Sequence, residues 1–530
     1  MPYCREGIAP SFLGRGVIFL PPPFLRTSAL LVAVLLAPAL RGSPAGGASG
    51  TSARKAARPE PSLEDAVKGL VAAFRAEGGP GAGAEVAVVI LSDGSETLVD
   101  IHGREPLKPA SNMKVLTTAA GLHWLGLGHE YETTLVSRAP LENGKVAGDV
   151  VVRGTGDPNI SGRFRQGDPT AILRDWARKL REAGLRRIEG DLVADDTYFD
   201  DARLPPTWDP NQEETWYSAQ VSALSLNDNC LDVTVKPGPG AGERAKIFLV
   251  PNSSVIALDP RVRTSAGRSA RVLVHRKRGT NEVSVSGEVG LGSPPWSGNV
   301  TIHDPALFFV ASLEAVLESE GIEVAGKPRK IERGEAGKTG PPEPGPRVVL
   351  LRHVSTLAED LPIINKRSQN LHAEILLKAM GARVGGEGSL AGGEKAVRRY
   401  LEDRKIDAGA LVVGDGSGLS HANRVSARLL ASVLDERRRS GKDFEAFLAS
   451  LPVAGEDGTL DERFRAFPHL RGKVHAKTGY IHGVSCLSGY VKRGDRICSF
   501  SILVNGLRGG AQGAKSLQEK LTDRLYSAME

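Results

Sequence analysis

Three short runs in the chain carry groups that together could perform acyl transfer. They are Ser111-Asn112-Met113-Lys114, Ser368-Gln369-Asn370 and Lys477-Thr478-Gly479, in that order. A serine hydroxyl is a poor nucleophile until a base takes its proton. Ser111 and Lys114 stand three residues apart, so on a helix they share a face and the amine lies beside the hydroxyl. Lysine ionises at about 10.4 in water and becomes a base at neutral pH only if burial or a neighbouring cation lowers that value. Lys477 is the candidate cation. Ser111 at a helix start would also offer backbone N–H groups to a developing oxyanion.

Lys477-Thr478-Gly479 lies in an alternating run and is expected on a strand facing a cleft. There Lys477 and Thr478 would grip a substrate carboxylate, and Gly479 would let substrate backbone approach closely. Ser368 and Asn370 need not share a helix face. In a turn before a helix, both could point into one cleft and carry a proton to a leaving amine. Each run alone is weak, because Ser-x-x-Lys arises by chance about once in a chain of this length. Their weight comes from occurring together, each on a suitable element.

Those elements can be placed from the sequence. Thr27 to Leu40 runs uncharged for 14 residues behind Arg5, Arg15 and Arg26, with Ala37-Pro38-Ala39 as a small-x-small cleavage pattern. That length fits the apolar core of an export signal and falls short of the about 20 residues of a bilayer span. Residues 1–45 are therefore expected to be a signal peptide, although an uncleaved anchor stays open, and 46–61 a flexible linker. Folded structure is expected from Ser62, which opens a helix in capping-box fashion with Asp65. Asp93-Gly94 joins two strands, and Ser111 to Leu122 starts a helix. From about Tyr131 to Val300 the texture turns to short, half-buried antiparallel strands with one helix opening at Asp168-Pro169. Helical texture returns at Pro305 to Glu320, Arg367 to Ala382 and Asn423 to Arg439. Three strands and a terminal helix close the chain. The expected fold class is α+β, an antiparallel sheet with flanking helices split by a large β-rich insertion. Its parts are 62–133, an insertion at 134–302, and 303–530.

The three motifs resemble those of the active-site serine penicillin-binding protein and β-lactamase fold. From Ser111 to Ser368 is 368 − 111 = 257 residues, far too long for a β-lactamase. The chain is similar to the low-molecular-weight class C penicillin-binding proteins, the D-Ala-D-Ala carboxypeptidase/endopeptidase family. Further stretches agree, among them Tyr217 to Val233, Asp415 to Ser420 and Leu451 to Leu460. The resemblance implies Ser111 as the acylated nucleophile, Lys114 as its base, Ser368 as the proton shuttle and Asn370 as the holder of substrate amide and lysine. It implies that Lys477, Thr478 and Gly479 line the carboxylate site, and that backbone N–H groups of Ser111 and Tyr480 form the oxyanion hole. The implied substrate is the peptide stem of peptidoglycan, with β-lactams as inhibitors that acylate Ser111. Location would be the periplasm or cell envelope. Two positions depart from the family pattern: Tyr480 replaces the threonine after Lys-Thr-Gly, and His421 replaces an arginine after Asp-Gly-Ser-Gly-Leu-Ser.

Other classes fit less well. Across 530 residues, 41% apolar and 25% charged composition excludes wholesale disorder and a membrane bundle. The net charge of +6 is interspersed, so no nucleic-acid groove is expected, although an acidic polymer would suit it. Cys4, Cys230, Cys486 and Cys498 lack zinc-site spacing, and Cys486 and Cys498 are read as separate buried thiols. His353, His372, His421, His475 and His482 show no ligand spacing either, so no metal or cofactor is expected. Gly414 to Gly418 lacks the Lys-Ser/Thr of a phosphate loop and is read as a structural turn. Asp195 and Asp196 are read as a solvated turn. A related serine hydrolase and a wall-binding module without catalysis remain alternatives, and the sequence leaves the oligomeric state open.

Overall fold

The computed structural model describes residues 61–162, 167–331 and 347–530. The expected export signal and nearly all of the linker lie outside them. Strand Glu85–Leu91 is apolar at every position after its first because both faces of its sheet are covered. Val86, Val88 and Ile90 enter a core shared with the helices Leu63–Arg75 and Gln512–Ala528. Ala87, Val89 and Leu91 enter another, shared with the helices Met113–Trp124, Asn370–Met380 and Ala427–Ser440. The sheet runs Val474–Ile481, Val484–Arg493, Arg496–Asn505, Glu85–Leu91, Thr97–Ile101, with every neighbouring pair antiparallel. Lys477-Thr478-Gly479 thus lies on an edge strand. Ser62 caps its helix as expected, its Oγ accepting from the Asp65 N–H at 3.1 Å. Cys486 faces Leu503 and Cys498 faces Val491, and both thiols are free and buried.

A second layer has its own core, built from a five-stranded sheet ordered Pro328–Lys330, Leu192–Asp195, Val150–Gly154, Glu130–Ser137, Val348–Thr356. Helices Ala171–Glu182 and Pro305–Ser319 bury Trp176, Phe308 and Phe309 in that core. Two expectations change here. Val150–Gly154, Leu192–Asp195 and Pro328–Lys330 pair in parallel, not antiparallel, because a helix crosses over between each pair. The insertion also does not end at 302, because Pro305–Ser319 packs in its core and Val348–Thr356 pairs with Glu130–Ser137. Two smaller sheets complete it: Lys246–Val250, Cys230–Lys236, Trp296–Thr301, and Ala257–Ser265, Glu282–Gly290, Ala270–Arg276.

Asp195 and Asp196 correct another expectation: both are buried. Asp196 pairs with Arg203 at 2.5 Å and accepts from Ser222 Oγ at 3.1 Å, since a buried carboxylate needs such partners. The helix expected over 367–382 begins only at Asn370. A separate helix, Leu357–Lys366, precedes it and went unread because Pro362 interrupts its pattern. Between the two, Ser368 takes a left-handed φ of 57°. The loop after Val413 packs tightly against the Ser111 turn: Gly418 has φ 86°, and a Cβ there would lie 1.8 Å from the Ala110 carbonyl oxygen. We expect Gly418→Ala to lose about 3 kcal/mol from left-handed strain and overlap. Denaturant unfolding measures the loss.

Candidate active site

Ser111 sits, half-buried, in the single 3₁₀ turn Ala110–Asn112 that leads into helix Met113–Trp124. One turn on, Lys114 is fully buried, and its Nζ donates to Ser111 Oγ at 3.2 Å, Asn370 Oδ1 at 2.7 Å and the Ser417 carbonyl at 2.7 Å. Burial pushes its pKa down to about 7, while the Asp415 and Glu374 carboxylates oppose the shift. Near neutrality the amine can therefore be uncharged and accept a proton from the hydroxyl beside it. Of the two causes expected from the sequence, burial and a neighbouring cation, burial is the one that lowers Lys114. Lys477 itself lies well below the ordinary lysine value, first because it too is buried and second because Lys114 repels its charge.

Lys477 Nζ donates to Ser368 Oγ at 2.9 Å and to the Thr478 carbonyl at 3.0 Å. The three motifs thus meet: Lys114 joins Ser111 to Asn370, and Lys477 joins the edge strand to Ser368. Thr478 leaves the opposite strand face from Lys477, as adjacent strand residues must, and its Oγ1 lies 2.7 Å from Thr459 Oγ1. Gly479 has a role the sequence did not show. A Cβ there would stand 2.7 Å from the Pro109 carbonyl and 2.8 Å from Asn112 Nδ2, so glycine lets the strand abut the Ser111 turn. Asn112 Nδ2 fastens that contact by donating to the Lys477 carbonyl at 3.1 Å. Tyr480 is 63% exposed at the open edge. His421 is exposed, and partial burial with nearby Lys108, His482 and Arg424 holds its pKa below the usual value.

Several supporting residues escaped sequence reasoning. Glu374 accepts from the Gly416 N–H at 3.0 Å and the Ser417 N–H at 2.8 Å, which anchors the backbone just before the Ser417 carbonyl that holds Lys114. Burial and the nearby Asp415 push its pKa up to about 7. Its spacing of four from Asn370 on one helix face was the available signal. Asp415 confirms the structural-turn reading by accepting from Gly418 N–H at 2.7 Å, Ser420 N–H at 2.6 Å and Trp208 Nε1 at 2.8 Å. Asn370 Nδ2 donates to the Tyr217 carbonyl at 2.8 Å, and Gln369 Nε2 to Asp228 Oδ2 at 2.9 Å. Behind them His372 lies 2.6 Å from Asp360 and 3.5 Å from Asp228. Burial opposes its charge, yet these carboxylates raise its pKa to about 9. No His, Cys, Asp and Glu cluster suited to a metal occurs among the described residues.

Comparison with known proteins places this geometry. The D-alanyl-D-alanine carboxypeptidase of Actinomadura sp. (strain R39) is 36% identical, covering 94% of this chain and 90% of its own. Penicillin-binding protein 4 of Haemophilus influenzae superposes with a TM-score of 0.72 at 24% identity, over 87% of this chain and 99% of that one. A second structure of that protein, in complex with a β-lactam, gives a TM-score of 0.68 at 25% identity with the same coverage. The chain has the penicillin-binding-protein fold. The sequence model of the D-Ala-D-Ala carboxypeptidase 3 (S13) family matches residues 71–526, nearly the whole folded chain, and with that match this protein belongs to the D-Ala-D-Ala carboxypeptidase 3 (S13) family.

Proposed function

We propose that the chain is a serine D-Ala-D-Ala carboxypeptidase/endopeptidase that cuts peptidoglycan stem peptides through an acyl-enzyme on Ser111 and is inhibited by β-lactams. The observation that carries this reading is the fully buried amine of Lys114, 3.2 Å from Ser111 Oγ and tuned to about 7. Ser111 Oγ attacks the carbonyl carbon of the penultimate D-alanine as its proton passes to Lys114 Nζ. Backbone N–H groups of Ser111 and Tyr480 receive the oxyanion. The C–N bond then breaks, the departing amine takes a proton through Ser368 from Lys477, and an ester remains on Ser111. Water then attacks that ester while giving a proton through Ser368 to Lys477, and Lys114 returns its proton to the departing Ser111 oxygen. Asn370 aligns Lys114 and the substrate amide. The arriving carboxylate restores charge to Lys477. Residues 1–45 are taken as the export signal, placing the enzyme in the periplasm or cell envelope. No helix of the described residues is long and apolar enough to cross a membrane.

Intact-mass analysis after penicillin exposure tests the chemistry. Wild type should gain one adduct that persists for many minutes, whereas rapid loss would favour a β-lactamase. Ser111→Ala should gain none, and Lys477→Ala should label about 100-fold more slowly for want of the anion's partner. The pH profile tests the base. Lys114 must be neutral to accept a proton, so kcat/KM should fall as pH drops below about 7. Glu374→Gln removes a negative charge that favours the Lys114 ammonium, so the acid limb should move to lower pH. An unmoved limb in both kcat/KM and adduct formation would count against Lys114 as the base.

A further inference from the structure

The net charge, read above as interspersed, is in fact concentrated in one segment. Residues 236–288 hold ten Lys and Arg against four Asp and Glu, and that excess of six equals the net charge of the whole chain. This segment supplies the sheet Ala257–Ser265, Glu282–Gly290, Ala270–Arg276. Val262, Thr264, Val272, Val283 and Val285 point inward and are buried. Alternation therefore turns Arg261, Arg263, Arg271, Leu273 and His275 outward, and all five are exposed. In the ladder, Arg263 and Arg271 flank Glu288, and the next row is Arg261, Ser286, Leu273. Arg261 is matched by Asp259 at 2.5 Å and His275 by Glu214 at 2.6 Å. Arg244, Lys246, Arg263, Arg268 and Arg271 pair with no carboxylate among the described residues. Leu273, 73% exposed, lies among them.

The same sheet is tied to the catalytic cleft. Arg276 on its outer strand takes Glu214 Oε2 on its N–H at 3.0 Å and reaches Glu213 Oε1 at 3.4 Å. Three residues beyond Glu214, the Tyr217 carbonyl holds Asn370. One short segment thus links the basic face to the turn that aligns Lys114.

Resting on the reaction proposed above, we infer that this sheet is a docking surface for polymeric peptidoglycan, gripped by the carboxylates that recur along its peptide stems. A single stem peptide fills only the cleft. A polymer carries further stems, and guanidinium groups without a carboxylate partner, on a sheet linked to the cleft through Glu213 to Tyr217, attract their anions and raise the local substrate concentration. The exposed Leu273 adds apolar contact for the alanine methyls of those stems. The surface acts on polymer and leaves turnover of a small soluble peptide untouched.

The test compares wild type with Arg263→Gln/Arg268→Gln/Arg271→Gln, all exposed and outside the catalytic network. D-alanine release from a soluble stem pentapeptide reports folding and the assigned reaction. Co-sedimentation with purified insoluble peptidoglycan, across a salt series, reports this face. We expect soluble kcat/KM within about twofold of wild type and peptidoglycan binding weakened about tenfold, with a flatter salt dependence. Equal sedimentation of variant and wild type, or wild-type binding indifferent to salt, would overturn the inference. So would wild-type binding to a phosphodiester polymer but not to peptidoglycan freed of it. Because the soluble arm reads the chemistry and the sedimentation arm reads the sheet, failure of one is distinguishable from failure of the other.

Discussion

The site rests on one amine removed from water. A buried ammonium is costly unless acceptors surround it, and each acceptor that stabilises its charge also raises its pKa, leaving less of the neutral amine that can take a proton. Lys114 meets three: the Ser111 hydroxyl, the Asn370 side chain and the Ser417 carbonyl. They come from three separate parts of the chain, so the proton affinity of this amine depends on the helix, the turn and the loop being in place together. Two carboxylates, Asp415 and Glu374, stop burial from lowering it further. The result lies near neutrality, where a base can both take and return a proton.

The supports of that arrangement explain why the insertion is more than an appendage. Ser368 holds a left-handed backbone, which a serine adopts only when its surroundings fix it. Two of those fixings come from the insertion: the Tyr217 carbonyl on Asn370 and the Asp228 carboxylate on Gln369. Asp228 is in turn steadied by a His372 that Asp360 and Asp228 together keep charged, and Tyr131 donates to Asp360 at 3.2 Å. A continuous polar chain thus runs from the reactive amine to the far side of the core, within low-dielectric surroundings where each satisfied bond is strong.

Much of this was legible in residue order. The Ser62 cap, the Asp93-Gly94 hairpin and the separate buried thiols of Cys486 and Cys498 all follow from local patterning. Other features resisted it. Helix Leu357–Lys366 was hidden by Pro362, and the parallel pairing of Val150–Gly154 with Leu192–Asp195 depends on a crossover that alternation cannot reveal. Asp195 and Asp196 read as surface residues because their partners, Arg153 and Arg203, are set by the fold.

By itself, the sequence determined which groups stand in the cleft, because spacing along a helix or strand is a local property and Ser111, Lys114 and Lys477 carry it. Only the tertiary structure decided how those groups behave. Proton affinity depends on burial and on charges that arrive from distant segments, so the neutral tendency of Lys114, the guard kept by Glu374 and Asp415, and the contact made possible by Gly479 had no signature in any one stretch of chain.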